Sequence, residues 1–136
     1  MPVEVLKEMH RSGAAALWND VGLTRPWNDS FADFDRALAG ATSTVLGCCL
    51  DGTVIGTVMV GHDGHRGWIY YMAVAPTHQG KGVGTELMSG AEEWLRAHGA
   101  VKVQLMVRES NENVVGFYER RGYEDSPVMV LSKRLS

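Results

Sequence analysis

The spacing of apolar positions changes period several times along the chain, and each change marks a predicted element. Val3, Val5 and Lys7 open with the alternation of a strand. From Met9 to Val21 the period becomes helical, with Ala14, Leu17, Trp18 and Val21 on one stripe and Gly22 placed to stop it. The stretch LTRPWNDS reads as a loop broken by Pro26. Asn28 or Asp29 is then placed to cap a second helix, whose Phe31, Phe34, Ala37 and Leu38 keep helical spacing up to Gly40.

The middle of the chain has the pattern of strands. TSTVLGCCL, Asp51-Gly52 and TVIGTVMVG read as a hairpin with a tight turn. HDGHRG is a second turn, leading into WIYYMAV, which is apolar on both faces as a covered central strand should be. Pro76 ends it. A glycine cluster follows, then a helix to about His98 with Leu87, Met88, Ala91, Trp94, Leu95 and His98 on one stripe, closed by Gly99. VKVQLMV alternates as the next strand, NENVVGFYERR makes a short helix ended by Gly122, and SPVMVLSKRL is expected as a final strand. The order β-α-α-β-β-β-α-β-α-β predicts a mixed α/β fold, with a mostly antiparallel sheet flanked by helices on both faces. The step from WIYYMAV through the long helix to VKVQLMV fits one parallel crossover.

Composition narrows the class. The 136 residues fit a single domain, and 45% hydrophobic with 21% charged residues is ordinary for a soluble protein. The apolar run Trp68 to Ala75 is too short to span a bilayer, and MPVEVLKEMH lacks the apolar segment of a signal peptide. A cytoplasmic location is expected, with no membrane partner. Cys48 and Cys49 are adjacent in an apolar run and read as buried strand thiols, not as a disulfide framework. Asn28-Asp29-Ser30 matches a glycosylation sequon, coincidental in a chain without an export signal. The net charge of −3 with no basic stripe argues against nucleic acid. His62 and His65 lack further ligands at metal spacing, so no metal is expected.

The segment HQGKGVGTELM, His78 to Met88, puts three glycines into five positions just before a helix. A Walker loop would need Lys followed by Ser or Thr after the second glycine, and Lys81 lies between glycines instead. A dinucleotide fingerprint would put its third glycine at Thr85. Both fail. The residues themselves leave a plain Gly-rich turn or an anion site open, the latter built from helix N-terminal N–H groups with Lys81 and His78 nearby.

QGKGVG, Gln79 to Gly84, lies after MAVAP and before a long helix. It resembles the acyl-CoA loop of the GNAT N-acetyltransferase superfamily, Gln/Arg-x-x-Gly-x-Gly/Ala. Downstream, NENVVGFYERRGY resembles that superfamily's second block, in which Asn111 is followed by Tyr118 and then by Gly122-Tyr123. The element order is similar over nearly the whole chain, and RPWND and GHDGHRG are similar to small, stand-alone bacterial members. The resemblance implies that acetyl-CoA is the co-substrate and that its pantetheine pairs with the backbone at Met72 and Val74. It further implies that the pyrophosphate meets Gln79, Gly80, Lys81, Gly82, Val83, Gly84 and Thr85.

The same resemblance makes Tyr118 the acid for the departing thiolate. Asn111 contacts the pantetheine or caps its helix, two compatible roles. An oxyanion donor is expected among the backbone N–H groups of Met72 to Val74. Many members carry a glutamate base two residues before the position of Met72; Tyr70 stands there, so the base stays unassigned, with Asp63, His62, His65, Tyr70, Tyr71 and water as alternatives. The family builds its acceptor pocket from the first two helices and their loop, which points to Arg25, Trp27, Asn28 and Asp29, with Tyr70 beside them. A capped loop anchored by Trp27 is the competing reading of that cluster. The implied activity is direct acetyl transfer to a primary amine of a small molecule or peptide. A non-catalytic acyl-CoA sensor and a nucleotide-binding regulator are the rivals, and a homodimer through the alternating tail is an open opportunity.

Overall fold

A computed structural model describes residues 2–109 and 111–136. The elements are β1 (Glu4–Val5), α1 (Arg11–Asp20), α2 (Ser30–Ala39), β2 (Ser43–Leu50), β3 (Thr53–His62), β4 (Gly67–Val74), α3 (Val83–Ala97), β5 (Val103–Leu105) and α4 (Glu112–Glu119). Short 3-10 turns precede α1 at Glu8–His10 and follow β4 at Pro76–His78. The sheet runs β1-β2-β3-β4-β5, antiparallel up to β4 and parallel between β4 and β5. This is the mixed, mostly antiparallel architecture that the apolar pattern predicts, with the parallel step made across α3. The chain forms two compact units, residues 1–106 with the sheet and α1 to α3, and residues 107–136 with α4.

Local chemistry explains the main boundaries. Asp29 caps α2 by accepting the Ala32 N–H at 3.1 Å. Leu50 pairs with Thr53 across Asp51-Gly52, whose φ values of 50° and 79° are both left-handed, as a two-residue hairpin turn matched to strand twist requires. In β3, a Cβ at Gly56 would come 2.9 Å from Leu87 Cδ1 and 3.0 Å from Val83 Cγ1 of α3. The next residue, Thr57, bonds Trp18 of α1. Successive strand residues face opposite ways, so α1 and α3 cover opposite faces of the sheet. Trp18, Phe34, Leu17, Val45, Val54 and Ala73 build one core, and Val83, Leu87, Met88, Ala91 and Leu95 form the buried stripe of α3. Each of the Val, Leu, Phe and Met side chains among these contributes about 1.5–3 kcal/mol of burial.

Two strand expectations need correcting. VKVQLMV pairs only over Val103–Leu105. SPVMVLSKRL forms no strand, and Val128, Met129 and Leu131 are 71%, 85% and 86% exposed. Alternation describes what a strand's side chains look like; a strand also needs a neighbour for its N–H and C=O groups, and none of the sheet's ladders includes these residues.

Candidate active site

β4 is regular until Tyr70, which pairs with Met59, and resumes at Ala73, which pairs with Thr57. Tyr71 and Met72 therefore stand opposite Val58 alone, which is a β-bulge. Tyr71 takes the left-handed φ of 50° there. The β4–β5 ladder ends at Ile69 opposite Leu105, so Tyr70 to Val74 run on past the last paired residue of β5. An extended ligand can line up along that edge, beside Met72 and Val74.

After Val74 the chain turns over Pro76–His78 and is tied back by Gln79, whose Nε2 donates to the Val74 carbonyl at 3.0 Å. Gln79 thus braces the loop through its side chain. Gly80 and Gly82 have φ of 78° and 85°, with nothing within 4 Å of where a Cβ would stand. Gly82 is the N-cap of α3 and has no side chain of its own to offer the first N–H groups of the helix. Backbone in this form is open to approach, and the positive end of the α3 dipole favours an anion at it. Lys81 is exposed on the loop; Glu86 in the first helical turn is the opposing charge. Val83 is buried under the loop, and Gly84 and Thr85 continue the first turn.

Tyr70 borders a cavity of about 360 Å³ together with Asp33, Arg36, Ser43, Met59 and Tyr71. Across it the Tyr71 hydroxyl donates to Asp33 Oδ2 at 2.7 Å, and Arg36 Nη2 donates to Asp33 Oδ1 at 2.6 Å. Burial first, then the Asp33 hydrogen bond and charge, push the Tyr71 phenol far above its ordinary pKa. Burial and the charge of Asp63 raise Tyr70 as well. Asp33 carries no sequence signal of its own and reads as one more acid in a first helical turn, whereas Tyr71 is legible only as one of several base candidates.

The α1–α2 loop uses its polar groups internally. Arg25 Nη1 donates to the carbonyls of Gly22 and Thr24, both at 2.8 Å, and Asp29 is the α2 cap. Trp27 and Asn28 are exposed.

Asn111 and Tyr118 lie in the second unit. Asn111 occupies the N-cap position of α4, yet its side chain makes no capping bond. Tyr118 is half-buried, edge-on to Phe117 and Tyr123 at 5.1 and 5.9 Å between centroids. Burial raises its phenol pKa, and Arg121 works the other way.

Glu4, His10 and Cys49 lie within metal-holding distance of one another. His10 Nδ1 accepts the Lys7 N–H at 2.9 Å, which leaves the ring proton on Nε2, 3.9 Å from Glu4 Oε1. The neutral ring thus turns a proton, not a lone pair, towards Glu4.

The bulged strand outruns its parallel neighbour and feeds a glycine loop at a helix start, an arrangement that leaves backbone groups open to an extended, anionic ligand. A profile of the acetyltransferase (GNAT) family matches residues 5–123, and the chain belongs to that family, an acetyl-CoA-dependent N-acetyltransferase by class. Among solved structures it is similar to AAC(6')-Iy in complex with the bisubstrate analogue CoA-S-monomethyl-acetylneamine, at 16% identity over 98% of this chain and 97% of that one, TM-score 0.83. It is also similar to an acetyltransferase of Trypanosoma brucei, at 22% identity over 98% and 99%, TM-score 0.77. A third likeness is to the aminoglycoside 6'-N-acetyltransferase AAC(6')-IG of Acinetobacter haemolyticus, at 19% identity over the whole of both chains, TM-score 0.79. At these identities the likeness is one of fold. No helix among the described residues is long and apolar enough to cross a membrane.

Proposed function

We propose that the protein transfers an acetyl group from acetyl-CoA to a primary amine of a small molecule or peptide, directly, within a ternary complex. The observation that carries this reading is the bulge at Tyr71–Met72 on a strand edge that leads into the Gly80–Gly82 loop and the glycine-capped start of α3. Pantetheine amides pair along Met72 and Val74, and the pyrophosphate rests on backbone N–H groups of the loop. The similarity to a structure holding a CoA-linked acetylneamine supports the same donor chemistry here.

The amine nitrogen attacks the thioester carbon, the carbonyl electron pair moves to oxygen, and its return expels the thiolate. Tyr118 is assigned to the departing sulfur, as the family pattern implies. A phenol held above its usual pKa of about 10 stays protonated at neutral pH and can donate a hydrogen bond. Full transfer of its proton to a thiolate, whose conjugate acid lies near about 8.5, would run uphill, so donation is its role.

A non-catalytic CoA sensor is the second reading, favoured by Tyr70 standing where relatives carry a glutamate. Calorimetric titration with CoA and thiol release with pools of amino acids, polyamines and peptides separate the two. Amine-dependent release that drops in Tyr118→Phe supports the enzyme. Binding without turnover for any amine favours the sensor, and absence of CoA binding removes both.

A further inference from the structure

Thr57 is a fully buried polar side chain in the middle of β3. Trp18 Nε1 lies 2.8 Å from Thr57 Oγ1, and Oγ1 lies 2.9 Å from the carbonyl oxygen of Tyr71. An indole N–H only donates, so the hydroxyl accepts from Trp18. Its single proton is left for the Tyr71 carbonyl. The chain of bonds therefore runs one way, from Trp18 through Thr57 to the backbone of the bulge.

Tyr71 is fastened at two more points. Its ring stacks on Trp18, with centroids 3.9 Å apart and planes 19° from parallel, and its hydroxyl donates to Asp33. The φ of 50° held by these attachments is one that bulky residues rarely adopt. Such strain persists where the surroundings over-determine it, and it clusters at working sites.

The fixed carbonyl belongs to the peptide joining Tyr71 to Met72. That peptide is trans and planar, so its C=O and N–H point in opposite directions. A carbonyl drawn towards Thr57 on β3 turns the Met72 N–H away from β3, to the edge that β5 leaves open beyond Ile69. We propose that Trp18 and Thr57 are positioning residues: by holding the Tyr71 carbonyl they aim the Met72 N–H at the thioester oxygen of the donor. The proposal rests on the acetyl-transfer reading above. As the C–N bond forms, the carbonyl pair on oxygen is held by that N–H until the C–S bond breaks and sulfur leaves with its electrons. Nothing is oxidised, and the donor group is set before reaction begins.

The test compares Thr57→Val, which removes the hydroxyl at constant shape, with Thr57→Ser, which keeps it. Thr57→Val should lower kcat about tenfold to a hundredfold, below the cost of deleting an oxyanion donor outright, with KM for acetyl-CoA within about twofold. Thr57→Ser should recover most of the rate. Trp18→Phe combined with Thr57→Val should be no slower in kcat than the worse single variant, because both act through one carbonyl. Thr57→Val also leaves the buried Trp18 N–H without its acceptor and should lower the melting temperature on any account, so the split decides: a purely structural role would leave kcat per folded enzyme at the wild-type value or move KM along with it.

A second readout needs no variant to fold. In wild-type protein the Met72 amide resonance should move further downfield with acetyl-CoA than with CoA, since only the thioester presents the oxygen. Equal movement with both ligands, or Thr57→Val turning over at the wild-type kcat, overturns this assignment alone. A wild type whose amides respond to neither ligand overturns the acetyl-transfer reading, and this assignment with it.

Discussion

Gly82 and Gly64 form a matched pair for testing the loop. Their φ values are 85° and 86°, and at neither would an added Cβ meet an atom within 4 Å. The cost of Gly→Ala at each is thus conformational, roughly 1–2 kcal/mol for placing a Cβ in left-handed backbone. For a chain of this size that lowers the melting temperature by roughly 4–8 °C. Gly64 sits in the turn between β3 and β4, while Gly82 caps α3 where phosphates would approach. If the methyl displaces the anion or twists one N–H off it, a charge-assisted hydrogen bond worth about 1.5–3 kcal/mol is lost. CoA binding should then weaken about tenfold to a hundredfold in Gly82→Ala and stay at the wild-type value in Gly64→Ala. Differential scanning fluorimetry measures the first effect and calorimetric CoA titration the second. Equal melting losses with wild-type CoA affinity in both variants would refute the backbone cradle.

Gly56→Val should lose about 1–3 kcal/mol in urea unfolding, because its side chain meets Leu87 and Val83 of α3 at 2.9–3.0 Å; unchanged stability would mean that α3 stands further from the sheet. Tyr118→Phe should reduce kcat with little change in CoA affinity, so Gly82→Ala should hurt binding more than Tyr118→Phe does; the reverse order in calorimetry would count against both assignments. Tyr70, Tyr71 and Tyr118 all have phenols raised in the fold, so their unfolded forms ionise first. Burial raises the thiols of Cys48 and Cys49 as well, so stability should begin to fall above about pH 8.5, where unfolded thiols ionise, and fall further above about pH 10, the unfolded phenol value, as measured by urea midpoints across pH. Asp33→Asn removes the carboxylate charge that helps raise Tyr71 and leaves burial and the more distant charge of Asp29. Tyrosinate absorbance should then show one phenol ionising at lower pH than in wild type, and an unmoved titration would place the Tyr71 hydroxyl elsewhere.

Much of the frame is legible because it depends on local or periodic cues. The buried stripe of α3 repeats over fifteen residues, Asp29 caps its own helix, and Asp51-Gly52 dictates a turn from within. The glycine loop is readable because Gly80 and Gly82 must adopt a backbone that other residues resist. The bulge leaves no such trace: one extra apolar residue in a strand covered on both faces looks like any other. The ties that fix it are long-range, with Trp18 and Thr57 separated by 39 positions and Thr57 and Tyr71 by 14. The tail shows the opposite failure, since SPVMVLSKRL has a strand's alternation and no ladder to join.

The missing glutamate bears on how the acceptor loses its proton. β4 carries two ionisable side chains, Tyr70 and Tyr71, and both phenols are raised, so near neutral pH neither exists as the phenolate that could accept a proton. Asp63 at the preceding turn is fully exposed, and the backbone N–H groups of Arg66 and His65 hold its carboxyl below the usual range, which makes it a poor base. Asp33, in the cavity beside Tyr70, already accepts from Arg36 and Tyr71. His62 stands beside the rings of Trp94 and His98, with centroids 6.1 and 5.7 Å away, His65 is exposed in the same turn, and neither lines the cavity at Tyr70. We therefore propose that solvent takes the proton, with the amine entering the site neutral. In that case the rise of kcat/KM with pH belongs to the acceptor, not to the enzyme. Two acceptors whose amines differ by about two pKa units should give profiles displaced by about the same amount. A shared inflection for both amines would show that a side chain of the protein takes the proton after all.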